Sequence, residues 1–245
     1  MKYTQEEIQD ILQKENPDII IAGTEKYTSA EFDICPNLKI ISRVGIGTSS
    51  IDLDECKKRG ICVTYTPDAP TNAVAELTIG QIISLLRKTW IVDSEMRSGN
   101  WDRFIGREIS NCTIGIIGAG RIGSEVIKKL SSLCPKRMLY TDTDPSREIF
   151  PEYEWSSKDR ILEECDVISL HIPLTKHNVK YIGTKELSIL KKDACILNTS
   201  RGGIIDEEAL YMWLSENNDA SASIDVFEKE PYDGVLLSLS NVLAT

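Results

Sequence analysis

Short apolar segments alternate with amphipathic ones along almost the whole chain, and their periods of 2 and 3.6 residues separate strands from helices. Thr4 to Lys14 places Ile8, Ile11 and Leu12 on one face behind a Thr4-x-x-Glu7 capping box, which predicts a helix. Asp18-Ile19-Ile20-Ile21-Ala22 reads as a strand, followed by a short helix around Ala30 to Cys35 and a strand at Leu38-Lys39-Ile40-Ile41-Ser42. Leu53 to Arg59 reads as another short helix stopped by Gly60, and Ile61-Cys62-Val63-Thr64 is again extended. This first region is a small α/β unit.

A longer helix, mostly apolar on one face, is predicted from about Asn72 to Lys88, and Ser98-Gly99-Asn100-Trp101 breaks the helical stretch. Strands then recur at 113–117, 138–141, 166–170, 194–198, 222–225 and 241–244, with helices near 121–132, 158–164, 184–190 and 206–216. Such alternation implies parallel pairing through right-handed crossovers. The expected division is a first domain at 1–88 and a doubly wound second domain at 89–245. Sheets of that kind bind ligands beyond the carboxyl ends of their strands.

Composition narrows the function classes. The 245 residues suffice for one large or two modest domains with real cores. No apolar run approaches the roughly 18 residues of a membrane span, and the polar start, Met1 to Glu7, carries no secretion signal. A net charge of −10 argues against nucleic acid or an anionic membrane as the main partner. Seven cysteines stand singly, as suits reduced thiols in a cytoplasmic protein. With two histidines and no cysteine pair, no metal site is expected.

The chemistry-bearing feature is Thr113-Ile114-Gly115-Ile116-Ile117-Gly118-Ala119-Gly120-Arg121-Ile122-Gly123. A buried strand runs into Gly-x-Gly-x-x-Gly, a helix follows, and a carboxylate, Asp142, comes 22 residues past Gly120. Gly118 suits the tight turn, Gly120 a close backbone approach to a pyrophosphate, and Gly123 close helix–strand packing. The helix start presents unpaired N–H groups and a positive dipole end to phosphates. Strand, helix and acid in register point to a Rossmann-type dinucleotide site. Asp142 is placed to accept from an adenosine ribose, and Thr143-Asp144 adds charge that repels a 2′-phosphate, which favours NAD over NADP; Arg147 is the nearby counter-argument.

The remaining strand ends carry Arg43-Val44-Gly45-Ile46-Gly47, His171-Ile172-Pro173-Leu174-Thr175, Asn198-Thr199-Ser200-Arg201-Gly202-Gly203 and Asp225-Val226-Phe227-Glu228-Lys229-Glu230-Pro231. With Val74-Ala75-Glu76-Leu77-Thr78 and the glycine motif, they resemble the D-isomer specific 2-hydroxyacid dehydrogenase family, which includes the D-3-phosphoglycerate dehydrogenases. The resemblance covers nearly the whole chain in the family's order. It implies an NAD-dependent oxidoreductase acting on a D-2-hydroxy acid, built from a Rossmann domain and a smaller, incomplete flavodoxin-like substrate domain.

Roles follow from the resemblance residue by residue. Arg201 holds the substrate carboxylate and polarises the 2-oxo group. Glu230 orients an acid–base histidine and raises its pKa. Asp225 bonds the nicotinamide carboxamide. Backbone around Arg121, Ile122, Ile172, Thr199 and Ser200 lines the cofactor, and the amides of Ile46 and Gly47 face the substrate, although Gly45 and Gly47 equally suit a plain turn. In the family the acid–base histidine stands in a Pro-His step after the strand matched by Asn241 to Thr245, where this chain ends, and a first strand precedes the helix at Thr4. Of the two histidines present, His171 suits a wall of the cofactor site and His177 a solvated loop. The alternative is an NAD-binding protein without turnover, or a truncated form of the enzyme. The resemblance also implies a homodimer and a substrate of the 3-phosphoglycerate kind, with Lys26 the nearest stand-in for the usual phosphate-binding arginine.

Overall fold

In the computed structural model, residues 3–143 and 150–245 are described. Asp144 and Arg147, which bear on the 2′-phosphate argument, lie outside them. Two compact units emerge, Met1–Thr71 and Asn72–Thr245.

The first unit is a three-stranded parallel sheet, β1 (Ile19–Ala22), β2 (Ile40–Arg43) and β3 (Cys62–Tyr65), ordered β1-β2-β3. Helices α1 (Gln5–Glu15), α2 (Ser29–Ile34) and α3 (Leu53–Arg59) accompany it. Thr4 and Glu7 close the predicted capping box on α1, and Gly60 ends α3 at φ 72°. Ile8, Leu12, Ile20, Phe32 and Ile41 form the core of the unit. Strand β1 buries Ile20 and Ala22 and leaves Ile19 and Ile21 exposed, the period of a half-covered strand. Burial tends to raise the pKa of the Glu31 carboxyl, but hydrogen bonds from Gln9, Thr28 and Gln5 outweigh it and hold the group down at about 2.

The second unit opens with α4 (Thr71–Arg87), which was expected to close the first domain. Its Ala75, Ile82, Leu85 and Leu86 pack in one cluster with Ile114 and Ile116, so apolar burial ties this helix to the second sheet and the division falls after Thr71 rather than Lys88. Lys88 takes a left-handed conformation, φ 53°, and turns the chain into α5 (Thr89–Arg97), a separate helix beyond the predicted end.

The strands are β4 (Thr113–Ile117), β5 (Arg137–Thr141), β6 (Glu154–Trp155), β7 (Val167–Leu170), β8 (Cys195–Asn198), β9 (Ser221–Ile224) and β10 (Val242–Ala244). Helices α6 (Arg121–Ser131), α7 (Lys158–Glu164), α8 (Thr184–Ser188) and α9 (Glu207–Glu216) connect them. All pairs are parallel, in the order β10-β9-β8-β7-β4-β5-β6. The chain starts at β4 in mid-sheet, winds one way through β5 and β6, then returns to β7 on the other side. Ile114 and Ile116 of β4 face one core and Ile117 the other, as a sheet covered on both faces requires. The switch point lies between β4 and β7, where such folds bind ligands. Among the described residues, no helix is long and apolar enough to cross a membrane.

Candidate active site

Three residues, Gly118, Ala119 and Gly120, turn the chain from β4 into α6. Gly118 sits at φ +97°, and a Cβ there would lie 2.5 Å from the His171 carbonyl oxygen; one on Gly123 would lie 1.9 Å from the Gly118 carbonyl oxygen. Neither position has room for a side chain, because turn, helix and β7 are in backbone contact. Gly120 is different. Its φ of −69° suits any residue, and a Cβ would meet nothing within 4 Å. The structure therefore holds Gly120 against open space, and α6 begins there with no side chain capping its first turn. Uncapped N–H groups at the positive end of an 11-residue helix suit phosphate oxygens.

Asp142, just past β5, reaches over this turn. Its Oδ2 accepts the Ala119 N–H at 2.8 Å, while Oδ1 accepts the Thr143 N–H at 2.7 Å and the Thr143 hydroxyl at 3.1 Å. A carboxylate has about four acceptor sites, so three donors orient the group and leave capacity for a ligand hydroxyl. The glycine turn and the acid predicted to cooperate are thus joined directly.

His171 follows β7, its N–H bonded to Ile117 O at 2.7 Å. Nε2 lies 2.9 Å from the Ser169 hydroxyl, and Nδ1 is buried with no partner. Burial pushes the imidazole down to about 4. His171 is therefore neutral near pH 7. The unfolded chain binds the extra proton between about pH 6.5 and 4, so this stability is fully present above 6.5 and is lost as pH falls toward 4. We expect His171→Gln to flatten the fall in melting temperature between pH 6.5 and 4.5, measured by thermal unfolding across that range. His177 lies in an exposed loop, its backbone N–H donating to the Thr175 hydroxyl.

At the end of β8, Asn198 organises the loop: Oδ1 accepts the Ser200 N–H and hydroxyl at 3.1 and 2.7 Å, and Nδ2 donates to Arg201 O at 2.8 Å. The Thr199 hydroxyl is 3.1 Å from that of Thr78, so the Thr199 and Ser200 side chains are both engaged within the protein. Arg201, half-buried, donates from Nη1 to Ser200 O at 2.6 Å; among the described residues it has no carboxylate partner. Gly202 allows the loop to touch the next one, since a Cβ would lie 1.9 Å from Phe227 O. Ile122 packs against the core on one face of the sheet and Ile172 on the other, and the Ile172 side chain also adjoins Gly118.

Asp225 follows β9, its N–H donating to Asn198 O at 3.1 Å. It shares a recess of about 430 Å³ with Glu230, Phe227, Tyr232, Ala244 and Thr245. Glu230 Oε1 accepts the Phe227 N–H at 3.3 Å, and Phe227 stacks on Tyr232 with centroids 4.0 Å apart. Thr245 donates its hydroxyl to Asp225 Oδ1 at 2.6 Å and accepts from Gln81 Nε2 at 3.0 Å. Neither Gln81 nor Thr245 was an expected site residue. The available signal was one glutamine on the mostly apolar face of α4. A larger recess of about 690 Å³ between α8 and α9 contains none of the strand-end residues.

In the first unit, Arg43 and Gly47 shape the loop after β2. Arg43 Nε donates to Gly47 O at 2.9 Å and its Nη1 to Val44 O, while the Gly45 N–H donates to the Thr66 hydroxyl at 2.8 Å. Ile46 and Gly47 are half-buried in this loop.

A doubly wound parallel sheet with an open glycine turn, an acid bonded to that turn and two further polar strand ends defines a dinucleotide-binding fold. Residues 79–245 match the model of the D-isomer specific 2-hydroxyacid dehydrogenase NAD-binding domain, and the chain belongs to that family. It is 41% identical over 217 residues to a glyoxylate reductase of Thermofilum pendens, covering 85% of this chain and 64% of that one. It is 37% identical over 248 residues to a D-3-phosphoglycerate dehydrogenase of Methanocaldococcus jannaschii, covering 99% and 47%. The chain thus spans less than two thirds of either relative. Among solved structures, D-lactate dehydrogenase of Aquifex aeolicus with NAD and lactic acid superposes with a TM-score of 0.84 at 30% identity, covering 97% of this chain and 77% of that one. The open space at Gly120, the uncapped α6 and the spare acceptor on Asp142 fit NAD.

Proposed function

We propose that the protein transfers a hydride between NAD and C2 of a small D-2-hydroxy or 2-oxo acid. The observation that carries this reading is Arg201: a guanidinium without a carboxylate partner among the described residues, at a strand end of the same sheet that forms the dinucleotide turn. Bound NAD supplies the hydride chemistry at its nicotinamide ring. The protein's own groups bind and orient. Gly118, Gly120 and Gly123 receive the pyrophosphate, with Arg121, Ile122, Ile172, Thr199 and Ser200 along the cofactor. Asp142 takes the adenosine ribose and Asp225 the carboxamide. Arg201 forks onto the substrate carboxylate and polarises the adjacent carbonyl. Ile46 and Gly47 offer backbone N–H groups to substrate oxygens. Glu230 is the carboxylate suited to hold an acid–base imidazolium, and neither His171 nor His177 hydrogen-bonds to it.

Relatives named glyoxylate, hydroxypyruvate and phosphoglycerate enzymes support a short 2-oxo acid, and we favour one of the glyoxylate or hydroxypyruvate kind over a phosphorylated one. The stretch after β1 carries Lys26 as its only cation, and that residue is exposed. NADH consumption with glyoxylate, hydroxypyruvate, pyruvate and 3-phosphohydroxypyruvate, with the hydroxy acid's configuration determined, tests the proposal. Turnover on none of them, with NADH bound, supports the second reading of a binding protein without turnover, which a neutral His171 that does not hydrogen-bond to Glu230 favours. The reading also includes a homodimer, for which exposed Trp101, Phe104 and Ile105 supply apolar surface, and a cytoplasmic setting that suits seven free cysteines.

Cofactor choice gives a sharper result. A 2′-phosphate beside Asp142 meets like charge, so NADH is expected to bind at least about tenfold more tightly than NADPH, ~1.4 kcal/mol. Asp142→Ser is expected to narrow that gap, measured by fluorescence titration of both cofactors. Equal affinities in the unaltered protein exclude Asp142 as the discriminating group.

A further inference from the structure

We propose that Gln81 is a positioning residue for the nicotinamide end of the cofactor site, acting through the Thr245 hydroxyl on Asp225; this rests on the reading of Asp225 as the carboxamide acceptor. Gln81 is 3% exposed on α4, beside Ile82 and in the same helix as Leu85 and Leu86, all part of the core. Its Nε2 donates to Thr245 Oγ1 at 3.0 Å, and that hydroxyl lies 2.6 Å from Asp225 Oδ1.

The direction of this relay is set by proton inventory. An ionised carboxylate only accepts, and a hydroxyl has one proton to give. Thr245 spends its proton on Asp225, so it accepts from Gln81, and the amide must present its NH₂ group. One Asp225 oxygen is thereby tied down and the other is left for a ligand. The Thr245 backbone is held separately, its N–H donating to Ile224 O at 3.1 Å. What Gln81 adds is the orientation of the hydroxyl, which is otherwise a free rotor able to turn toward water.

Stability does not explain a glutamine here. Gln81 Oε1 is buried without a partner, and a half-satisfied buried amide is unfavourable where a leucine would fill similar volume. A local structural disadvantage beside a polar ligand group is what a positioning role accounts for.

Binding of NADH and of ADP-ribose, which lacks the nicotinamide, separates this role from a structural one. Gln81→Leu is expected to weaken NADH about fivefold, the worth of one ordinary hydrogen bond, with ADP-ribose within about twofold of its starting affinity and no fall in melting temperature. Thr245→Val should give the same selective loss and add nothing to Gln81→Leu, while Thr245→Ser should retain normal binding. Asp225→Ala should weaken NADH at least as much and spare ADP-ribose. Unchanged NADH binding in Gln81→Leu, with a selective loss in Asp225→Ala, refutes the relay and leaves the Asp225 reading standing. Unchanged binding in Asp225→Ala refutes both. Equal loss of NADH and ADP-ribose in Gln81→Leu makes Gln81 a scaffold residue and overturns the proposal.

Discussion

Gly120→Ala is expected to cut NADH affinity at least about tenfold while the melting temperature holds or rises, and Gly123→Ala to cost so much stability that little folded protein is recovered. The two glycines lie in one turn, yet physics separates them. At Gly120 the backbone is extended and a Cβ would touch no protein atom. Alanine there removes unfolded-state freedom, a gain of about 0.4–1 kcal/mol. Its methyl instead occupies space a pyrophosphate needs, and ~1.4 kcal/mol of lost contact is already tenfold. At Gly123 the Cβ would stand 1.9 Å from the Gly118 carbonyl oxygen, a backbone atom tied by geometry to β4 and β7. Relief requires α6 to move off a core that includes Val126, Ile127 and Leu130, and changes of that kind reach about 4–5 kcal/mol. Thermal unfolding and NADH titration of both variants check this. Wild-type NADH affinity in a folded Gly120→Ala protein removes the turn as the phosphate site.

Arg201→Gln is expected to lower kcat/KM for the 2-oxo acid about a thousandfold, with NADH affinity unchanged. The substitution keeps a polar planar end but loses the charge and the two-pronged fork that suit a carboxylate. A thousandfold is ~4 kcal/mol of transition-state stabilisation, in the range measured when a positioned donor to developing charge is removed. Arg201→Lys restores charge without the fork and should recover only part of the loss. Steady-state kinetics with a parallel NADH titration is the measurement. Equal falls in NADH affinity and turnover would place Arg201 in the loop architecture, because its Nη1 also holds Ser200 O.

Most elements were legible because local rules and tertiary packing agree on them. The Thr4–Glu7 capping box, the Gly60 stop on α3 and the apolar Ile114–Ile117 run of β4 each state a boundary through chemistry next to it in the chain. The Gly118–Gly123 turn with Asp142 was legible for the same reason: strand, helix and acid occur in one βαβ stretch. The allegiance of α4 was not. Its apolar face reads identically whichever unit it packs against, and only contact with Ile114 and Ile116 assigns it to the second. The end of α4 near Lys88 was legible, but the separate helix α5 beyond it was not, since a single left-handed lysine leaves no mark on hydrophobic period.

Sequence alone determined that this is a parallel α/β protein with a dinucleotide turn, because periodicity and glycine placement are local properties of the chain. Tertiary structure alone decided what each glycine excludes, which hydroxyls are already engaged, that His171 is held neutral, and that Gln81 reaches Asp225 through Thr245. Those facts depend on atoms from strands and helices far apart in the chain, and burial and hydrogen-bond partnership come into being only when they meet.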